Sequence, residues 1–312
     1  MQHKMARLSP STIAHLLLLA VVAVWGATFA LVKDALQDAS PLLFNMVRMT
    51  IAAIALILIN HRSLRHLTKR SLLSGLVVGI FLAAGYQFQT AGLARTSAAK
   101  SAFITGLVVV FVPILTAIPA IRPESAHAPR WTSALGAALA FGGLLLLTTP
   151  AGTTWATLFS SIGFGDLLTL VCAVAFAGHL LALAHTSPRV PIAQLATLQI
   201  AAAALIMAMT LPLGGQLYLH LTPRLIVALA VTSLIATAAA FTIQSWAQQH
   251  LPPTHTALLL TLEPVFAWLI SFLFLGERLG TRSLAGAALI FVGILITELL
   301  PTADPVPTYP AS

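Results

Sequence analysis

Residues 257–280 read ALLLTLEPVFAWLISFLFLGERLG, an apolar run carrying Glu263 and Pro264 near its middle. About 20 mostly apolar residues suffice for a helix to cross the hydrocarbon core of a bilayer, so this run is long enough to span one. An ionisable group at that depth is costly against lipid and is expected to face a bundle interior, a water-filled cavity or a partner. Pro264 has no N–H, so the carbonyl of Leu260 loses its helical bond and a kink is expected beside the acid. What the pair does depends on what surrounds it.

The surroundings are apolar along almost the whole chain. Of 312 residues, 58% are hydrophobic and 8% charged, against about 25% charged in soluble domains. Apolar runs fall near 12–32, 41–60, 71–93, 98–121, 132–149, 164–185, 191–212, 223–247, 254–275 and 282–300. The breaks between them carry turn or charge signals, among them DASP at 38–41, RPESAHAPR at 122–130 and PP at 252–253. Lys4 and Arg7 before the first run resemble a signal peptide, but the run continues through Trp25 to Val32 without a small-x-small cleavage site and is read as a retained helix. The fold class expected is therefore all-α integral membrane, with ten transmembrane helices and the lipid bilayer as partner.

Internal similarity organises these runs. GAALAFGGLLLL from Gly136 matches GAALIFVGILIT from Gly286 at seven of twelve positions, a shift of 150 that also puts Pro41 on Pro191. A shift of 155 puts AAGYQFQT from Ala83 on AAAFTIQS from Ala238, and Ala102, Leu107 and Phe111 on Ala257, Leu262 and Phe266. The chain thus reads as segment 1–11, a first five-helix repeat over 12–149, a linker at 150–163, a second repeat over 164–300 and a tail at 301–312. Five is odd, so the second copy enters the membrane from the opposite side, and such inverted repeats are characteristic of transporters with a midplane site.

Charge sets the expected orientation and excludes other functions. With the N-terminus inside, inner segments hold nine Lys and Arg, including Arg62, Arg65, Lys69 and Arg70, and outer segments hold six. By the positive-inside rule both termini are expected in the cytoplasm. Lys and Arg, which give the net charge of +8, sit mainly in short loops at helix ends and are never interleaved with exposed aromatics, so nucleic acid is not an expected partner. Cys172 is the single cysteine and excludes an intramolecular disulfide. Walker A, CxxC, HExxH and GxSxG sequences are absent, so no cofactor or metal is expected, and ATP drive and common intramembrane hydrolysis lose support.

Several polar residues fall within the runs. Glu263 serves either as a charge or proton site or as a buried acid locking helices together. Under the 155 shift Glu263 and Pro264 fall on Val108 and Val109, so the acid has no symmetry mate; the fourth run has its proline later, at Pro113. Arg48 is the other mid-span charge, and the two could form an ion pair, clamp a zwitterion or be unrelated. Trp25 and Thr28 match Phe176 and His179 under a shift of 151, and Tyr86, Gln89 and Thr90 match Phe241, Gln244 and Ser245. Each set lies on one helix face, and polar groups on repeated faces imply a shared interior. Gly142, Gly143, Gly286 and Gly293 are expected to pack helices, and Glu277 and Arg278 to form a solvated or locally paired helix end.

The stretches WGATFALVK, SPLLFNMVRMTIAA with Arg48, TSAAKSAFITGLVVVFVPIL and LEPVFAWLISFLFLGERLG followed by GAALIFVGILI resemble the drug/metabolite transporter superfamily, specifically its EamA-type ten-helix members. The resemblance covers both halves; AFAG in the sixth run departs from a pattern in which Trp is frequent. It implies an exporter or facilitator of small metabolites, often amino acids, in the bacterial inner membrane, with a central cavity. Joined to the repeated faces, it implies a small-molecule substrate site at Trp25, Thr28, Arg48, Tyr86, Gln89, Phe103, His179, Gln244 and Trp268, with Glu263 as the polar or proton-linked group. A continuous pore is the alternative, and an intramembrane enzyme a weaker one, since no nucleophile or metal set can be assembled.

Overall fold

The computed structural model describes residues 9–126, 131–148, 163–275 and 280–299. The described residues form α1 (Pro10–Ala35), α2 (Pro41–Asn60), α3 (Lys69–Leu93), α4 (Ala98–Thr105), α5 (Val108–Thr116), α6 (Trp131–Thr148), α7 (Phe164–Thr186), α8 (Ile192–Thr210), α9 (Pro223–Ala247), α10 (Pro253–Leu260), α11 (Glu263–Leu275) and α12 (Thr281–Leu299). Most of the N-terminal segment with Lys4 and Arg7, nearly all of the 150–163 linker, Arg130, Glu277, Arg278 and the 301–312 tail lie outside the described residues.

The helices begin where local chemistry favours a start. Ser9, Thr68, Ser97 and Thr222 each accept a hydrogen bond from a backbone N–H of the first turn, satisfying a donor the helix leaves free. Proline occupies the opening position of α1, α2, α9 and α10, where its missing N–H costs nothing. Among the described residues, α1, α2, α3, α7, α8 and α9 are each long and apolar enough to cross a membrane. Their outer faces expose large apolar side chains such as Leu58, Ile59, Leu73 and Leu205, as suits contact with hydrocarbon.

Helix lies on every expected run, but two runs are broken. α4 ends at Thr105 and α5 begins at Val108; α10 ends at Leu260 and α11 begins at Glu263. At the second break Thr261 and Leu262 donate to carbonyls three residues back, a tightened turn that leaves Glu263 and Pro264 opening a new helix. The kink expected beside the acid therefore precedes it. In the first half Pro113 sits inside α5 without breaking it, and the interruption falls at Gly106 and Leu107 instead. Those two residues fall on Thr261 and Leu262 under the 155 shift.

The two halves interleave rather than sit side by side. α3 packs on α7 and α8, and α2 on α8. A Cβ on Gly75 or Gly79 would lie 2.3 Å or 2.6 Å from the Cβ of Leu198 or Ala202, so glycine at both positions sets how closely α3 approaches α8. α1 crosses α11 where a Cβ on Gly26 would meet the Glu263 carbonyl at 2.6 Å. α6 and α12 pair at Gly143 and Gly293, whose added Cβ atoms would lie 2.4 Å from the Gly286 carbonyl and 2.6 Å from the Gly136 carbonyl. Gly142, expected to pack as well, faces open space.

At one end of the bundle the α1–α2 and α8–α9 connections are tied together. Ala39 and Leu219 form an isolated antiparallel bridge, Ser40 N–H donates to the Tyr218 carbonyl (3.0 Å) and His220 N–H to the Asp38 carbonyl (2.7 Å). The Asp38 carboxylate accepts from the Thr222 hydroxyl (2.6 Å) and Arg224 Nε (2.8 Å), and Arg224 also pairs with Asp34 (3.2 Å). The Thr222 hydrogen bond, followed by the Arg224 guanidinium, holds the Asp38 carboxyl below its ordinary value.

Candidate functional site

A cavity lies between α1, α2, α3, α7, α9 and the two helix breaks. Trp25, Thr28, Arg48, Tyr86, Gln89, His179, Gln244 and Glu263 all line it. The repeat-related pairs Trp25 and Phe176, Thr28 and His179, Tyr86 and Phe241, and Gln89 and Gln244 meet around the same space. Phe103 and Trp268 do not line it. Phe103 stands two residues before the cavity-lining Thr105, about 200° round the helix, and faces a smaller cavity with Ala140 and Ile290. Trp268 packs beside Phe272 at 5.9 Å, and its indole N–H finds no acceptor among the described residues.

The walls are aromatic. Trp25 and Phe241 rings stand 5.2 Å apart, Tyr86 meets Phe176 edge-on at 5.4 Å, and Phe241 meets His179 edge-on at 5.5 Å. Such offset and edge arrangements place the positive rim of one ring against the negative face of another. Arg48, 3% exposed, lies over the Tyr86 ring at 4.3 Å, donates from Nε to the Thr237 hydroxyl (2.8 Å) and from Nη2 to the Tyr86 hydroxyl (3.0 Å) and the Ala236 carbonyl (3.4 Å). It forms no ion pair with Glu263, so the close pairing that the sequence left open is not made.

The middle of α9, Val231–Ala239, is a π-helix. The Ala240 N–H bonds to the Ile235 carbonyl five residues back and to the Thr237 carbonyl, and so bypasses the Ala236 carbonyl that it would take in an α-helix. Trp25 Nε1 takes it at 2.8 Å, alongside Arg48. One carbonyl of the second half thus holds two cavity side chains of the first.

Further polar residues missed in the sequence support the walls. Asn45 donates to the Tyr86 carbonyl (2.9 Å) and accepts from the Thr90 hydroxyl (3.0 Å), fixing α3 against α2. It stands one turn from Arg48, a spacing that could have flagged it. His179 Nε2 contacts Gln199 Oε1 (3.0 Å), and Gln199 Nε2 donates to Ser245 Oγ (3.0 Å), whose proton is committed to the Phe241 carbonyl (2.6 Å). In that arrangement Gln199 can only accept from the imidazole, so the neutral ring carries its proton on Nε2.

Acceptors at the cavity remain unspent. Gln244 is 1% exposed, and its carboxamide oxygen has no hydrogen-bond partner among the described residues. The Glu263 carboxyl, half-buried and opening the α11 helix at the cavity wall, makes no hydrogen bond or ion pair with described residues. Buried polar groups are nearly always partnered, so the unspent Gln244 carboxamide oxygen marks where a ligand or water completes the structure, and the half-buried Glu263 carboxyl lines the same cavity.

A bundle of apolar helices around a polar, aromatic cavity is the architecture of a membrane transporter, and the chain belongs to the EamA-like transporter family, whose model matches residues 12–149 and again 163–299. It is 32% identical to an uncharacterized transporter of Archaeoglobus fulgidus over 90% of this chain and 84% of that one. It is 22% identical to the uncharacterized transporter YoaV of Bacillus subtilis over 89% and 94%. A crystal structure covering 92% of this chain and 97% of its own superposes with a TM-score of 0.71 at 18% identity, a similarity of fold. The chain is a multi-pass membrane protein of transporter type.

Proposed function

We propose that the chain is a secondary transporter that exports or facilitates the movement of small metabolites such as amino acids across the bacterial inner membrane by alternating access. The observation that carries the reading is the cavity: repeat-related side chains line it in pairs, and Glu263 lines it with them. The finer architecture proposed is ten spanning helices in two five-helix repeats of opposite orientation, over 12–149 and 164–300, with both termini cytoplasmic. Its support is the coincidence of the two breaks under one sequence shift and the pairing of the cavity walls under nearby shifts.

In this reading Trp25, Thr28, Tyr86, Gln89, His179 and Gln244 contact substrate directly, Arg48 presents positive charge from a fixed mount, and Glu263 carries either the substrate's positive end or a coupling proton. Phe103 and Trp268 leave the set of direct contacts. The decisive experiment is uptake into proteoliposomes with pooled amino acids and nucleobases, with and without an imposed pH gradient. Accumulation against a gradient supports coupled transport, and saturable exchange supports facilitation; non-saturable equilibration supports a pore and sinks alternating access.

A further inference from the structure

The connection between α2 and α3, residues 61–70, carries Arg62, Arg65, Lys69 and Arg70, all exposed. Among the described residues these four side chains make no hydrogen bond or ion pair. Cations elsewhere are engaged: Lys33 and Arg122 cap backbone carbonyls, and Lys100, Arg189 and Arg224 pair with Asp166, Glu124 and Asp38. Nor does the neighbouring sequence offer an acid, since no Asp or Glu occurs between Asp38 and Glu124. Lys69 and Arg70 open α3, whose first turn holds no acidic residue, so two of the four cations sit at the positive end of the helix dipole. Like charges are thus gathered without a described counter-charge.

The cluster is held rigidly from behind. Gln194 of α8, 4% exposed, donates from Nε2 to the Ser63 carbonyl (2.9 Å) and the His66 carbonyl (3.2 Å), and its Oε1 accepts from the Ser71 hydroxyl (2.6 Å). Asn60 donates to the Thr197 hydroxyl (3.0 Å) almost one turn further along the same helix. The 3₁₀ turn Ser63–His66 is therefore fixed against the other half of the chain, with its basic side chains left outside. A fixed turn presents its charges without the ordering cost that a mobile loop bears on binding.

Hydrocarbon-facing side chains border the cations on both sides. Leu58 and Ile59 close α2, Leu72 and Leu73 follow Arg70, and Leu67 lies between; all are exposed. Charges at such a boundary stand at the level of lipid headgroups.

We propose that the 61–70 turn binds the headgroup of an anionic phospholipid, with its phosphodiester among Arg62, Arg65, Lys69 and Arg70 and its acyl chains along the exposed faces of α2 and α3. The apolar border on both sides favours this occupant over a soluble anion of the same phosphate chemistry. Because Gln194 ties the turn to α8, the bound lipid also braces one half of the chain against the other. The site requires a multi-pass membrane protein and is independent of the transporter reading.

The test titrates the purified full-length protein, in a neutral detergent, with phosphatidylglycerol or phosphatidylcholine and counts bound lipid by native mass spectrometry. A Lys or Arg near an anionic surface is worth about five-fold in affinity. Phosphatidylglycerol should bind saturably and more tightly than phosphatidylcholine, and each of Arg62→Gln, Arg65→Gln, Lys69→Gln and Arg70→Gln should raise its Kd about five-fold. Arg189→Gln removes the same charge from a residue already paired with Glu124 and should leave the Kd within about two-fold. A second measurement guards against damaged variants. In nanodiscs of phosphatidylcholine alone, Lys69→Gln and Arg70→Gln should melt at or above the wild-type temperature, because each relieves repulsion at the start of α3. The proposal is overturned if the two lipids bind alike, if the four variants match Arg189→Gln, or if Lys69→Gln and Arg70→Gln melt below wild type in phosphatidylcholine, which would make the cations structural. Displacement of phosphatidylglycerol by equimolar inorganic phosphate would also overturn it, in favour of a soluble anion.

Discussion

Glu263 illustrates how far single residues could be read from sequence. Its depth in an apolar run demanded shelter, and the structure gives it a cavity wall without a protein partner. Glu263→Gln keeps shape and hydrogen-bonding capacity and removes the charge. The expected outcome is a folded, membrane-inserted protein whose uptake in proteoliposomes falls at least about ten-fold or changes its pH profile; uptake at the wild-type rate and profile would reduce the acid to a helix opener. Asp38 carries a different expectation. Its carboxyl is held below its ordinary value of 3.8 by Thr222 and Arg224, so the stabilisation is present above that value and lost as pH falls through the folded one. Asp38→Asn should lower the melting temperature near neutral pH, and the gap to wild type should close in acid; a gap constant with pH would refute the assignment. Residues whose place at the cavity was legible stand out against an apolar run, as Arg48 and Gln244 do. Thr237 was not legible, because a helical threonine ordinarily satisfies itself on its own helix and its value here comes from the Arg48 guanidinium laid against it.

Elements were legible where hydrophobicity alone makes them, and illegible where geometry does. The ten apolar runs follow from composition, but the π-turns of Val231–Ala239 have no signature in the string VTSLIATAA. The breaks were half visible. Pro264 pointed to one, yet the first half breaks in the same register with Gly106 and no nearby proline, so the interruption belongs to the repeat and the proline only decorates one copy. Glycine was read correctly as packing but not which glycine: Gly143 meets a carbonyl and Gly142 meets nothing. Gly143→Leu should therefore force α6 from α12 and cost about 1–3 kcal/mol or more, the usual range for overpacking, whereas Gly142→Leu should be nearly neutral. Thermal melts of the two purified variants check this, and equal losses would refute the crossing.

At the scale of the whole molecule, the topology we propose from charge and repeat parity puts residues 62–70 in the cytoplasm and the 211–222 connection on the far side. In a chain with Cys172 replaced, Ser63→Cys should resist an impermeant thiol reagent in intact cells and Leu213→Cys should react; the opposite pattern would invert the topology. The way α3 lies against α7 and α8 was beyond sequence reading, since the shift analysis relates the halves without saying how they interlock. That interlock has a consequence for synthesis. The first half leaves the ribosome with the notches at Gly75 and Gly79 open, and the residues that fill them, Leu198, Gln199, Ala202 and Ala203, come later. During that interval α2 and α3 lack α8, against which both pack, and a truncated product ending before α7 should be cleared quickly by membrane proteases. Supplying residues 150–312 as a separate polypeptide should prolong its lifetime in pulse-chase, because the interval ends when α8 arrives, whichever message encodes it.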